Sequence, residues 1–201
     1  AEKTIQAHGE SAVSLYLFDK YFVQDESVSD SKLLSIIAEL KKNHPKDKYI
    51  LDIESKIKSR KKGIKGSVIP DLTIKTFEDK DIKLKENSGS KCKLLVFWAT
   101  WTSGSYNLYS KIKDLKNRYG GQLDLIMISL DTQYFKFESY VKTDTTGIKY
   151  SCDGLAWDSP AVKDFGVEEI PLFVLVGKDN KIISRKTDFE EMRKEMSKIL
   201  E

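Results

Sequence analysis

The sequence predicts an α/β fold, a central sheet flanked by helices, with an all-helical subdomain in front of it. Three observations predict it. Residues 1 to about 62 place apolar side chains at helical spacing and show no strand pattern. From Val68 the pattern changes to period two, and strand-length apolar runs then alternate with amphipathic stretches, the mark of β-α units. The run from Lys93 to Trp98 is almost wholly apolar, as a strand must be when helices cover both faces of its sheet. The predicted boundaries are 1–62 for the helical subdomain and 63–201 for the α/β domain.

In the helical part, Ala12, Leu15, Phe18 and Phe22 fall on one face of a first helix. Asp30 or Ser31 can cap a second, whose apolar positions are Leu33, Leu34, Ile36, Ile37 and Leu40. Pro45 suits the entrance to a third, striped by Tyr49, Ile50, Ile53 and Ile57. Gly63 and Gly66 then end the helical part by tolerating positive φ. Three helices this small need each other, and the reading is a subdomain that serves packing.

In the α/β part, Leu72, Ile74 and Thr76 alternate with polar neighbours. Glu78 to Asp81 turns the chain, and Ile82 and Leu84 complete a hairpin. After the loop Asn87-Ser88-Gly89-Ser90 comes the central strand. A helix follows from about Ser103 to Tyr119, with Leu108, Ile112 and Leu115 inward and Gly120-Gly121 as its stop. Leu123 to Leu130 is the next buried strand, Tyr134 to Val141 a short helix, and Ile148 to Cys152 an extended segment. Ser159-Pro160 opens a helical turn to Phe165. Pro171 to Val176 and Lys181 to Ser184 form strands joined by Lys178-Asp179-Asn180, and the chain closes on a helix with Phe189, Met192, Met196 and Ile199 inward.

Bulk properties exclude several functions. The 201 residues carry 34 basic and 31 acidic side chains, a net charge of +3, which is no concentrated basic surface for nucleic acid. Lys41-Lys42 and Arg60-Lys61-Lys62 read as solvated helix faces. No stretch approaches ~20 apolar residues, so no segment spans a membrane. Cys92 and Cys152 are too far apart for a metal knuckle, and with only His8 and His44 besides no metal site is expected. No cofactor is implied. The chain starts at Ala1 without a Met, which removal of a targeting segment or trimming would both explain.

Residues 64 to about 200 resemble the TlpA/ResA-type thioredoxin-like proteins, the branch of the redoxins that borders on the peroxiredoxins of the AhpC/TSA kind. Gly66-Ser67-Val68-Ile69-Pro70-Asp71-Leu72 is similar to that family's opening signature, and Phe97-Trp98-Ala99-Thr100-Trp101 to its lead into the active site. Asp158 to Val162, Phe165-Gly166-Val167 and Glu169-Ile170-Pro171 resemble the segment around its conserved-geometry proline loop, and Lys178 to Ile182 fits its hairpin. The resemblance implies a thioredoxin-like fold with a central mixed sheet flanked by helices, a cis peptide bond before Pro171, and an extracytoplasmic location in the periplasm or cell envelope. A membrane association through a removed N-terminal segment would be compatible with it.

The departures bear on activity. In a working relative the first thiol sits at a helix N-terminus, whose field favours the thiolate, and the second resolves the mixed disulfide. Here the two positions fall on Thr102 and Ser105, and Thr102-Ser103-Gly104-Ser105 stands where Cys-x-x-Cys would be. Val96 replaces a buried acid that relatives use for protons, and Tyr106, Asn107 and Leu108 replace charged residues after the second thiol. No peroxidatic cysteine occupies the helix start either. As a nucleophile, Ser103 or Ser105 would need a base that the spacing does not supply. The bland reading makes Thr102 the helix N-cap and Ser103 and Gly104 its first turn. Cys92 and Cys152 lie on the scaffold, away from the helix tip, either as quiet thiols or as a disulfide.

What stays is the surface. Trp98 belongs to the core, while Trp101 sits at the mouth, with Tyr106, Tyr109, Trp157 and Ile170-Pro171 around one groove. In relatives the backbone before the proline pairs with an extended peptide. The expectation is therefore a redox-inactive protein that binds a peptide or partner protein at Trp101, Tyr106, Ile170 and Pro171. Two alternatives stand beside it. One is a thiol-disulfide oxidoreductase working through Cys92, Cys152 or a partner's thiols, and the other an architectural envelope module.

Overall fold

In the computed structural model, which describes residues 12–23, 28–60 and 63–201, the chain divides into two units at residues 61/62. Readings on His8, Ser11, Lys61 and Lys62 lie outside the described residues, as does that on the side chain of Ala12.

The first unit follows from its apolar stripes. Helix α1, Ala12–Phe18, continues as a π-helical turn over Asp19–Val23. Helix α2 is Asp30–Asn43 and α3 is Lys48–Arg60. Ser29, and neither Asp30 nor Ser31, caps α2. Its extended backbone lets the hydroxyl accept from the Lys32 N–H at 3.4 Å. Asp47 caps α3, its Oδ1 accepting from Tyr49 and Ile50 N–H at 2.9 and 3.1 Å, so Pro45 lies in the turn ahead of the helix. Phe18, Leu33, Ile37, Ile50, Ile53 and Ile57 bury one another, while Tyr49 is exposed on the flank. Lys41 pairs with Glu54 at 2.6 Å and Lys56 with Asp19 at 3.2 Å, half-exposed bridges that add little to the apolar contacts.

In the second unit the period-two residues form a separate antiparallel hairpin of β1 (Thr73–Lys75) and β2 (Asp81–Lys83). The main sheet holds β3 (Cys92–Trp98), β4 (Leu123–Ser129), β5 (Lys149–Cys152), β6 (Leu172–Gly177) and β7 (Ile182–Lys186) in the order β5-β4-β3-β6-β7. β3, β4 and β5 run parallel, and β6 and β7 are antiparallel to their neighbours, which makes the sheet mixed. The helices are α4 (Ser105–Tyr119), α5 (Tyr134–Val141), α6 (Pro160–Phe165) and α7 (Phe189–Leu200).

Every residue of β3 is buried, because both faces are covered. Leu94, Val96 and Trp98 pack with α4, α5 and α7 on one face. Leu95 and Phe97 pack with α6 and the β1-β2 hairpin on the other. The inward stripe of α4 is Ser105, Tyr109, Ile112, Leu115 and Tyr119, with Leu108 only half-buried. In α7, Met192, Met196 and Leu200 are buried, and Phe189 and Ile199 flank them. Gly66 has the positive φ expected of it, 88°. Gly63 serves a different end: a Cβ there would lie 2.6 Å from the Phe165 carbonyl oxygen and closer still to the Arg185 guanidinium.

Parallel strands share their direction, so the loops that follow β3, β4 and β5 open at one edge of the sheet. That edge carries the Thr102 turn.

Candidate functional site

The chain leaves β3 at Trp98 and must turn before α4 begins. Gly104, with φ 78° and no side chain, is the N-cap, and α4 starts at Ser105. Thr102 is therefore not the cap. Its hydroxyl donates to the Ala99 carbonyl at 2.9 Å, closing the turn from within. Ser105 is buried; its hydroxyl donates to the Thr100 carbonyl at 2.9 Å and lies 3.2 Å from the Tyr140 hydroxyl. Both hydroxyls spend their protons on backbone carbonyls. Among the described residues neither touches a base, and residues 63–201 contain no histidine. Among the described residues neither oxygen has a partner that would activate it as a nucleophile.

Under the turn lies Asp131, which the sequence reading passed over. It is 1% exposed, yet its carboxylate accepts from the Thr100 N–H at 3.0 Å, the Thr100 hydroxyl at 2.6 Å and the Ser129 hydroxyl at 2.5 Å. A buried carboxylate is tolerated only with such donors. Here they lock the backbone between β3 and the turn. A polar Ser129 and Asp131 directly after the apolar run Leu125 to Ile128 were the available signal. Trp98 fills the space beneath, stacked on Tyr109 at 6.1 Å and edge-on to Tyr140 at 5.6 Å. Its indole N–H has no acceptor among the described residues.

The turn forms one wall of a cleft of about 180 Å³. Thr102, Ser103, Gly104 and Ser105 stand opposite Pro171, which follows a cis peptide bond as the resemblance implied, with Phe173 and Phe189 also in the lining. Lys111 sits at the edge, 5.1 Å from the Phe189 ring centroid and 3.6 Å from a Glu190 carboxylate oxygen. The other candidates do not line this cleft. Trp101 and Tyr106 are 55% and 73% exposed beside it, and Ile170 packs against the core below. Tyr109 is buried under Trp98 and is no part of the groove. Trp157 is exposed on the loop after β5.

Both thiols are free. Cys92 opens β3 and Cys152 ends β5, so they stand at opposite ends of the sheet, about 20 Å apart along the strands. No disulfide reaches that far. Cys152 is nearer the turn than expected, its thiol donating to the Asp131 carbonyl at 3.3 Å. Burial pushes Cys92 up to about 11 and raises Cys152 as well, the opposite of what a thiolate nucleophile needs.

Residues 89–182 match the family model described as thioredoxin-like. The second unit has a thioredoxin-like fold. The thioredoxin-like domain superposes on a thiol-disulfide oxidoreductase from Bacteroides fragilis with a TM-score of 0.60 and 21% identity, over 67% of this chain and 100% of that one. A thioredoxin domain of a thiol-disulfide oxidoreductase from Bacteroides vulgatus gives 0.59 and 15%, over 69% and 99%. A thioredoxin-like protein from Bacteroides caccae gives 0.60 and 14%, over 94% of this chain and 70% of that one. At these identities the likeness is one of fold. No curated protein sequence matches the chain. No helix among the described residues is long and apolar enough to cross a membrane.

Proposed function

We propose that the thioredoxin-like domain is redox-inactive and binds a peptide or partner protein at the groove between Trp101 and Pro171. The observation that carries this is the state of the Thr102 turn. Where a thiol pair would stand, two hydroxyls are tied to backbone carbonyls, while the cleft between the helix tip and Pro171 is kept. Trp101 and Tyr106, exposed beside it, are side chains that often anchor interfaces. The family resemblance supports an extracytoplasmic setting.

The test has two arms. Insulin reduction by the wild type should stay at background, whereas Thr102→Cys/Ser105→Cys should form a disulfide on oxidation and gain measurable turnover. Wild-type turnover above background that is lost in Cys152→Ser would replace this reading with an oxidoreductase. Partners captured from envelope extract should bind Trp101→Ala at least about tenfold more weakly. Undiminished binding by that variant, lost instead on deletion of residues 1–62, would favour the architectural reading.

A further inference from the structure

At the end of the sheet remote from the Thr102 turn lies a larger cavity, about 700 Å³, within the range of small-molecule sites. It lies between the sheet's lower end, the β1-β2 hairpin and the segment after α5. The floor is a row of charges across three neighbouring strands. Lys93 of β3 and Asp124 of β4 are register partners, and Lys149 of β5 pairs with Ile126, two residues further along β4. The three share the sheet face of Leu95 and Ile126.

Lys93 and Asp124 are each only 6% exposed. Asp124 is taken by Lys149, whose ammonium lies 2.8 Å from its Oδ1. Asp144, also in the lining, is bound by Lys113 at 3.0 Å and by the Tyr150 hydroxyl at 2.7 Å. Lys93 has no carboxylate at ion-pair distance among the described residues. Its ammonium donates to the carbonyls of Leu84 and Glu86, leaving one of its three N–H groups over. The row thus carries two cations against one anion, and the surplus sits at the most buried position. Acids on the rim, Glu78, Asp81 and Glu86, are exposed, where water screens them, and Glu78 is paired with Lys80. Phe77, Ile82 and Ile148 supply apolar wall.

We propose that this cavity binds a small organic carboxylate with an apolar body, its charged end paired with Lys93. A carboxylate would complete the alternation of charge along the row and occupy the remaining N–H in a charge-assisted bond. The apolar walls would cover the rest of the molecule. Burial lowers the affinity of Lys93 for its proton, and a bound anion would reverse that.

Calorimetry with benzoate, 4-phenylbutyrate and decanoate, each against its primary amide, tests this on the full chain. At least one acid should bind, about tenfold or more tighter than its amide. Lys93→Met should remove that preference, and Thr145→Trp, at an exposed position in the lining, should block the acid while leaving Lys93 in place. Trp101→Ala should change nothing, which separates this site from the groove. Absence of binding by every acid, equal binding of acid and amide, or undiminished binding in a folded Lys93→Met or in Thr145→Trp would each overturn the proposal.

Discussion

At the scale of single residues, Asp131 is the least replaceable polar group near the candidate site. Its three donors come from Thr100 and Ser129, so Asp131→Asn turns an amide N–H₂ toward donors that have lost their acceptor. We expect a loss of about 1–3 kcal/mol in urea unfolding, with the fold retained. Cys92 gives a pH signature. Its thiol is raised by burial from 9.0 to about 11, so between those values the unfolded chain releases a proton that the folded chain keeps. The stability it contributes is complete below pH 9.0 and is lost as pH rises toward 11. At about pH 10.5 the wild type should have lost about 2 kcal/mol more than Cys92→Ala, each relative to its own stability at neutral pH. Neither residue's weight was visible in the sequence. An Asp one residue past a strand looks like any solvated turn residue until its donors are known, and a Cys looks the same buried or exposed.

Among the elements, the legible ones were those whose pattern leaves one physical solution. A run such as Leu94-Leu95-Val96-Phe97-Trp98 has to be a strand covered on both faces, and it is buried throughout. The hairpin, α6 after Ser159-Pro160, and the stop of α4 at Gly120 followed from turn and cap chemistry in the same way. The helix starts were less legible, because cap identity depends on backbone conformation that several adjacent polar residues could adopt. Ser29 took the place of Asp30 or Ser31, and Gly104 that of Thr102. The tip of α4 rests on that glycine. Nothing lies within 4 Å of where a Gly104 Cβ would be, so Gly104→Ala meets no clash and its cost is that of φ 78° alone. The expected loss is about 1–2 kcal/mol. Gly104→Asn should recover part of it in the same thermal or urea measurement, since Asn tolerates this region.

For the molecule as a whole, the mixed sheet followed from the family resemblance, whereas the composition of the site could not be read from the sequence. Trp101, Tyr106, Tyr109 and Trp157 are equally aromatic in sequence; only the packing separates buried Tyr109 from its exposed neighbours. The large cavity was invisible for a related reason, since Lys93, Asp124 and Lys149 come from three strands and meet only once the sheet forms. One consequence of the hydroxyls bound at Thr102 and Ser105 concerns time. A thiol pair can hold a client by a covalent bond until a second sulfur cuts it free, and the ambient redox potential then regulates the exchange. A surface that offers only Thr102 and Ser105 has no such latch. If the groove holds a partner as proposed, that partner should leave at a rate fixed by contact area and anchoring side chains, with the same dwell in oxidising and reducing surroundings.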